Sequence, residues 1–213
     1  MVTVRIVVVV MRASFGPVNA PAKNPSSDVA EAVAEYRTSG DVPKLLARLR
    51  TVAQTSNADD LAAAVEPFRD IPEVAGPVYE TIVSQRPDDA RALVILANAY
   101  WLAGRGPDVV GALASRAIAS DATNRGAWHL WALTAEALRE RVGRWQQVVQ
   151  RFPQDDLARA ALADNAVSLA SGEDDPVAMG VAIATYEELL ARATTTQQRV
   201  AIEGALDTLR KRR

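Results

Sequence analysis

The chain is 213 residues long, 49% hydrophobic and 23% charged, the balance of a globular protein able to bury a sizeable core. A formal net charge of −2 leaves no overall basic field for nucleic acid, and the absence of cysteine excludes disulfides, thiol catalysis and thiolate metal sites. Alanine is abundant, aromatic residues make up 5%, and glycine and proline fall mostly between periodic segments, so the composition points to helices.

The N-terminus reads MVTVRIVVVVM, with an apolar run from Ile6 to Met11 between Arg5 and Arg12. A spanning helix needs about 20 apolar residues, so no membrane crossing is expected here. Val18-Asn19-Ala20 offers the small residues of a cleavage site, but the apolar run is short for a signal peptide and Pro21 follows directly. Met11 is an alternative start, and Ser14 to Ser27 has the composition of a linker. Residues 1–27 are therefore expected to form a flexible extension, weakly signal-like or wrongly started, and residues 28–213 a folded domain.

From Asp28 the helices follow one another. Asp28 and Glu31 are spaced as a capping box, with Val29, Val33 and Tyr36 on one face and Gly40 as the stop. Asp41 and Pro43 open a second helix whose apolar face carries Leu45, Leu49 and Val52. Thr55 to Asn57 breaks it, and Asp59-Asp60 begin an Ala-rich segment reaching Pro67. Pro72 to Arg86 reads as another helix, with Pro77 early enough that its missing N–H costs little.

Pro87 makes a turn, Asp88-Asp89 open the next helix, Leu93, Leu96, Ala97 and Tyr100 form its stripe, and Gly104 ends it. Asp108 to Ser120 follows, with Val110, Leu113, Ala117 and Ile118 facing inward. After the turn Asp121-Ala122-Thr123-Asn124, a helix carries Trp128, Trp131, Ala132 and Ala135. The helix after Gly143 is expected to be short because Pro153 soon follows. Pro153-Gln154-Asp155-Asp156 then leads to Leu162, Ala163 and Ala166, and Ser171 to Pro176 is expected to insert a loop. Tyr186 to Leu190 echoes Tyr79 to Val83, and a closing helix carries Ile202, Ala205, Leu206 and Leu209. The basic run Arg210 to Arg213 suits the C-terminal end of that helix.

The turns centred on Pro87, Ala122 and Pro153 lie 35 and 31 residues apart, close to a repeat of about 34 residues. Ala75, Tyr79, Ile82, Val83 and Pro87, followed by the Leu93–Tyr100 stripe, resemble the second and first helices of tetratricopeptide repeat (TPR) units. The resemblance implies an all-α, antiparallel helix-pair solenoid with about three legible repeats, degenerate ends and a C-terminal capping helix. It also implies that first helices line a groove for an extended peptide or partner helix. Carried over residue by residue, that groove comprises Arg91, Val94, Ile95, Asn98 and Trp101 from one unit and His129, Leu130 and Leu133 from the next. One TPR subgroup clamps a C-terminal carboxylate with Lys, Arg and two Asn; only Asn98 fits that set, which argues against it.

Residues that could carry chemistry have simpler uses. The acidic pairs at Asp59, Asp88, Asp155 and Asp174 each sit where a helix begins, as capping and the helix dipole favour. His129 is the only histidine, and no nucleophile motif or second soft ligand accompanies it. Gly104 to Pro107 is a turn rather than a phosphate loop. Arg91, Arg125 and Arg159 recur every 34 residues, but the unequal turn spacing breaks their common phase. The expectation is a non-catalytic cytoplasmic scaffold that binds a protein, with no cofactor, metal or nucleic acid. The alternative is an exported or membrane-associated assembly or maturation factor using the N-terminal apolar run.

Overall fold

A computed structural model describes residues 24–212. Five helix pairs follow one another: α1 (Pro25–Ser39) with α2 (Val42–Thr55), α3 (Ala58–Val65) with α4 (Pro72–Gln85), and α5 (Ala90–Leu102) with α6 (Pro107–Ser120). Then come α7 (Arg125–Leu133) with α8 (Leu138–Arg151) and α9 (Asp156–Glu173) with α10 (Pro176–Arg192), closed by α11 (Thr196–Arg210). Among the described residues there is no strand.

The repeat is built on local hydrogen bonding. In three successive turns the N–H of Asp89, Asn124 and Asp155 bonds the carbonyl three residues back, at 3.2, 3.1 and 3.0 Å. The same side chains then accept the N–H groups of Ala92, Ala127 and Ala158, which the start of a helix would otherwise leave orphaned. Proline enters at the first or second position of α1, α2, α4, α6 and α10, where no helical N–H is lost. Gly40 and Gly104 adopt φ of 67° and 68°, the left-handed conformation that ends a helix without a Cβ penalty.

Each helix packs against its pair partner, and layers form because α1 also contacts α3, α5 contacts α7, and α2 contacts α4. The apolar stripes meet in one cluster from Val29 to Leu130 and a second from Ala132 to Leu209, with Trp131 packed against both. Leu45, Leu49, Leu61 and Leu93 are fully buried, each side chain contributing about 1.5–3 kcal/mol of transfer free energy.

Five local expectations are corrected. Pro77 is the sixth residue of α4 and lies inside the helix, beyond its first turn, so its missing N–H removes one helical bond. α1 begins at Pro25 rather than Asp28, because Asn24 accepts the Ser26 N–H and caps it first. α8 is not short: it starts at Leu138, and the Arg141 guanidinium holds the Ala135 carbonyl at 2.8 and 2.6 Å to close a tight preceding loop. Ala135 lies in that loop, since α7 stops at Leu133. α9 runs through Ser171 and Gly172 because Leu169 and Ala170 still bury against α10, so the supposed insertion shrinks to Asp174-Asp175. The expectations for residues 1–23 lie outside the described residues.

Candidate functional site

The surface of α5 and α7 carries the residues expected to bind. On α5, Val94, Ile95 and Asn98 are half-buried and Trp101 is 37% exposed. Asn98 and Trp101 are three residues apart and so neighbours on the helix surface. The Asn98 amide makes no hydrogen bond among the described residues, whereas the half-buried Asn165 bonds the Ala161 carbonyl at 2.7 Å. Val94 sits at the seam between first helices: a Cβ at Gly126 of α7 would stand 3.3 Å from its Cγ1. Ile95 packs against the first core cluster.

Arg91 reaches back to Glu66 at 3.0 Å, tying the start of α5 to the segment after α3. The other arginines of the 34-residue recurrence do different work. Arg125 approaches Asp155 at 3.6 Å, and Arg159, 7% exposed, bonds Glu188, Asp156 and the Pro153 carbonyl. They form no cation stripe.

On α7, Leu133 is half-buried, but Leu130 is 8% exposed and belongs to the core. A step of one residue along a helix turns about 100°, so Leu130 leaves the face that His129 and Leu133 share. His129 stacks edge-on against Trp145 at 5.3 Å and bonds the Asp155 carboxylate through Nε2 at 2.6 Å. Asp155, with a side chain 3% exposed, is the cap of α9. Burial alone would raise its pKa, but the Ala158 N–H, the His129 hydrogen bond and charge, and Arg125 together hold it below the usual carboxylate range. The imidazole is thus spent on joining α7 to α9. Sequence reasoning missed Asp155 as the partner, 26 residues away, and nothing local could have indicated it.

No group of three or more potential metal ligands occurs among the described residues. No described helix is long and apolar enough to cross a membrane.

Comparison of the backbone with solved structures decides the fold family. A tetratricopeptide repeat protein from Parabacteroides merdae matches at TM-score 0.54 and 14% identity, covering 90% of this chain and 74% of that one. The chain has the TPR fold. A thermophilic TPR protein of Thermus thermophilus, TTC0263, matches at TM-score 0.52 and 16% identity, over 85% of this chain and 98% of that one. PilF of Pseudomonas aeruginosa matches at TM-score 0.58 and 13% identity, over 88% and 85%. No protein-family model matches the sequence, and no curated protein matches it. At such identities the likeness shows the TPR fold and no more. The surface residues are this chain's own.

Proposed function

We propose that the protein is a non-catalytic scaffold that seats a segment of a partner protein on the first-helix face of α5 and α7. The observation that carries this reading is the Asn98 amide, half-buried and without a hydrogen-bond partner among the described residues, beside the exposed indole of Trp101. A half-buried amide with unspent donors and acceptor suits a peptide backbone, and a neighbouring indole supplies the large, stiff apolar contact that dominates binding energy. Val94, Ile95 and Leu133 give the face an apolar floor, and Arg91 stands at its edge. Leu130 supports that floor from the core, and His129 holds α7 against α9 rather than meeting the partner first.

The test is capture from a lysate by the wild-type chain beside an Asn98→Ala, Trp101→Ala double variant of unchanged helicity. Both side chains are partly solvent-facing, so the variant keeps its fold. Truncating a hot-spot tryptophan costs about 2 kcal/mol or more, roughly thirty-fold in affinity. A partner that the variant no longer retains is the expected outcome; equal retention would refute the assignment of this face.

A further inference from the structure

Within the first-helix layer α5 packs on α7, while α3 and α5 meet at most weakly. Between them lies a cleft of about 390 Å³. Ala58, Ala62 and Ala63 form one wall and Ala92 the other, and α4 supplies the floor through Tyr79 and Ile82. The small side chains make the space, since longer ones at these positions would fill it.

Tyr79 is the unusual member. It is 3% exposed, yet its hydroxyl has no hydrogen-bond partner among the described residues. Its oxygen is not sealed, because among the described residues the only fully enclosed unpartnered side-chain atom is Trp145 Nε1. Two other tyrosines are occupied: Tyr100 donates to Glu80 at 2.7 Å and Tyr186 to Asp164 at 2.6 Å. A hydroxyl with no protein partner and an accessible oxygen is left to bond solvent or a ligand atom that enters the cleft. Burial and then the charge of Glu66 push the Tyr79 pKa upward, so the phenol stays protonated and offers a donor at neutral pH.

The rim sets the class of ligand. Arg86 is paired with Asp59, and Arg91 with Glu66 at 3.0 Å, so a carboxylate entering the cleft would have to displace an existing partner. Asp89, which also lines the cleft, caps Ala92 and holds no cation among the described residues, so an ammonium could pair there. It would offer the Tyr79 O–H no acceptor, whereas a carboxamide carries both an acceptor and donors. Ion-paired carboxylates also keep lone pairs free to accept an N–H.

We propose that this cleft is a subsite for a neutral carboxamide, the side chain of a glutamine or asparagine carried by the partner segment, with its oxygen on the Tyr79 hydroxyl. The alanine walls take the methylene stem, and the amide N–H groups face the Asp59 and Glu66 rim. The assignment rests on the scaffold reading above and adds to it the chemistry of one anchor residue.

The experiment titrates the isotopically labelled full chain with N-acetyl-glutamine-methylamide, and in parallel with the blocked glutamate, lysine and leucine derivatives, following backbone amide resonances. Saturable shifts at Ala62, Ala63 and Ala92 are expected for glutamine, at about millimolar concentration for so small a probe. In Tyr79→Phe the ring packing remains and no internal hydrogen bond is lost, so its melting temperature stays put or rises while glutamine binding weakens about fivefold or more. The proposal is overturned if glutamine shifts nothing, if Tyr79→Phe binds it equally, or if glutamate or lysine binds as tightly. The wild-type comparison of probes stands even if Tyr79→Phe folds poorly. Because the Asn98→Ala, Trp101→Ala capture experiment uses neither Tyr79 nor these probes, failure of the subsite and failure of the scaffold reading are separately visible.

Discussion

Asp155 joins two adjacent units, and its replacement gives the sharpest energetic prediction. Its carboxylate caps the Ala158 N–H at 3.1 Å, bonds His129 Nε2 at 2.6 Å and lies 3.6 Å from Arg125, with a side chain 3% exposed. Loss of an N-cap costs about 1 kcal/mol, and loss of a hydrogen bond to a charged group about 1.5–3 kcal/mol. Asp155→Ala should therefore destabilise by about 2.5–4 kcal/mol, which for a chain of this size lowers the melting temperature by about 5–15 °C. Asp89 provides the control, because it caps Ala92 at 3.0 Å and makes no other side-chain bond or ion pair among the described residues. Asp89→Ala should cost only about 1 kcal/mol. Asp155→Asn keeps an acceptor for the cap and loses the charge, so it should fall between the two. The lowered pKa of Asp155 makes its contribution present above the ordinary carboxylate pKa, about 4, and lost as pH falls through the lower folded-state value. Thermal unfolding followed by circular dichroism should then show the wild-type advantage over Asp155→Asn at pH 5 and its closure at still more acidic pH. Equal costs for Asp155→Ala and Asp89→Ala, within about 0.5 kcal/mol, would refute the claim that the bond to His129 joins the units.

Other predictions concern packing. At Gly111 a Cβ would stand 3.0 Å from Thr134 Oγ1, which itself bonds the Trp131 carbonyl at 3.1 Å and is not free to turn away. Gly111→Ala should cost about 1 kcal/mol net, overcrowding outweighing the gain in helix propensity, and Thr134→Ala should relieve it. Gly143 and Gly204 face open space within α8 and α11, so alanine at either should stabilise by about 0.5–1 kcal/mol in denaturant titrations. Leu93→Ala, at a site 0% exposed, should cost about 2–5 kcal/mol, whereas Leu157→Ala, at one 74% exposed, should stay within about 0.5 kcal/mol.

The TPR architecture was legible because its determinants are local. Asp89, Asn124 and Asp155 recur as caps, and the stripes from Leu93 and Val110 set which faces are buried. Element ends were legible only where a local signal had no competitor. Asn24 pre-empted Asp28 as the cap of α1, and Arg141 fixed the loop before α8 by a side-chain bond that no spacing rule contains. At Ser171-Gly172 burial of neighbouring residues outweighed loop-like composition. On the face proposed for binding, helical phase was legible in the sequence but depth was not. One residue separates half-buried His129, and three separate half-buried Leu133, from buried Leu130, and helix pairing decides on which side of that line each falls. The role of His129 depends on a residue from another unit, Asp155, and the one proposed for Tyr79 on residues of α3 and the helix ends, Asp59, Glu66 and Arg86. Periodicity within one helix cannot place them together.

The central claim is that a partner seats on the first-helix face, and site-specific photo-crosslinking tests it most directly. A photoreactive side chain would replace Leu102, exposed on α5 one turn beyond Asn98, in one sample and Arg50, exposed on the second-helix side at α2, in another. The account predicts a discrete crosslinked partner from position 102, lost when Trp101→Ala is added, and none from position 50. The same partner captured from position 50 alone would contradict it.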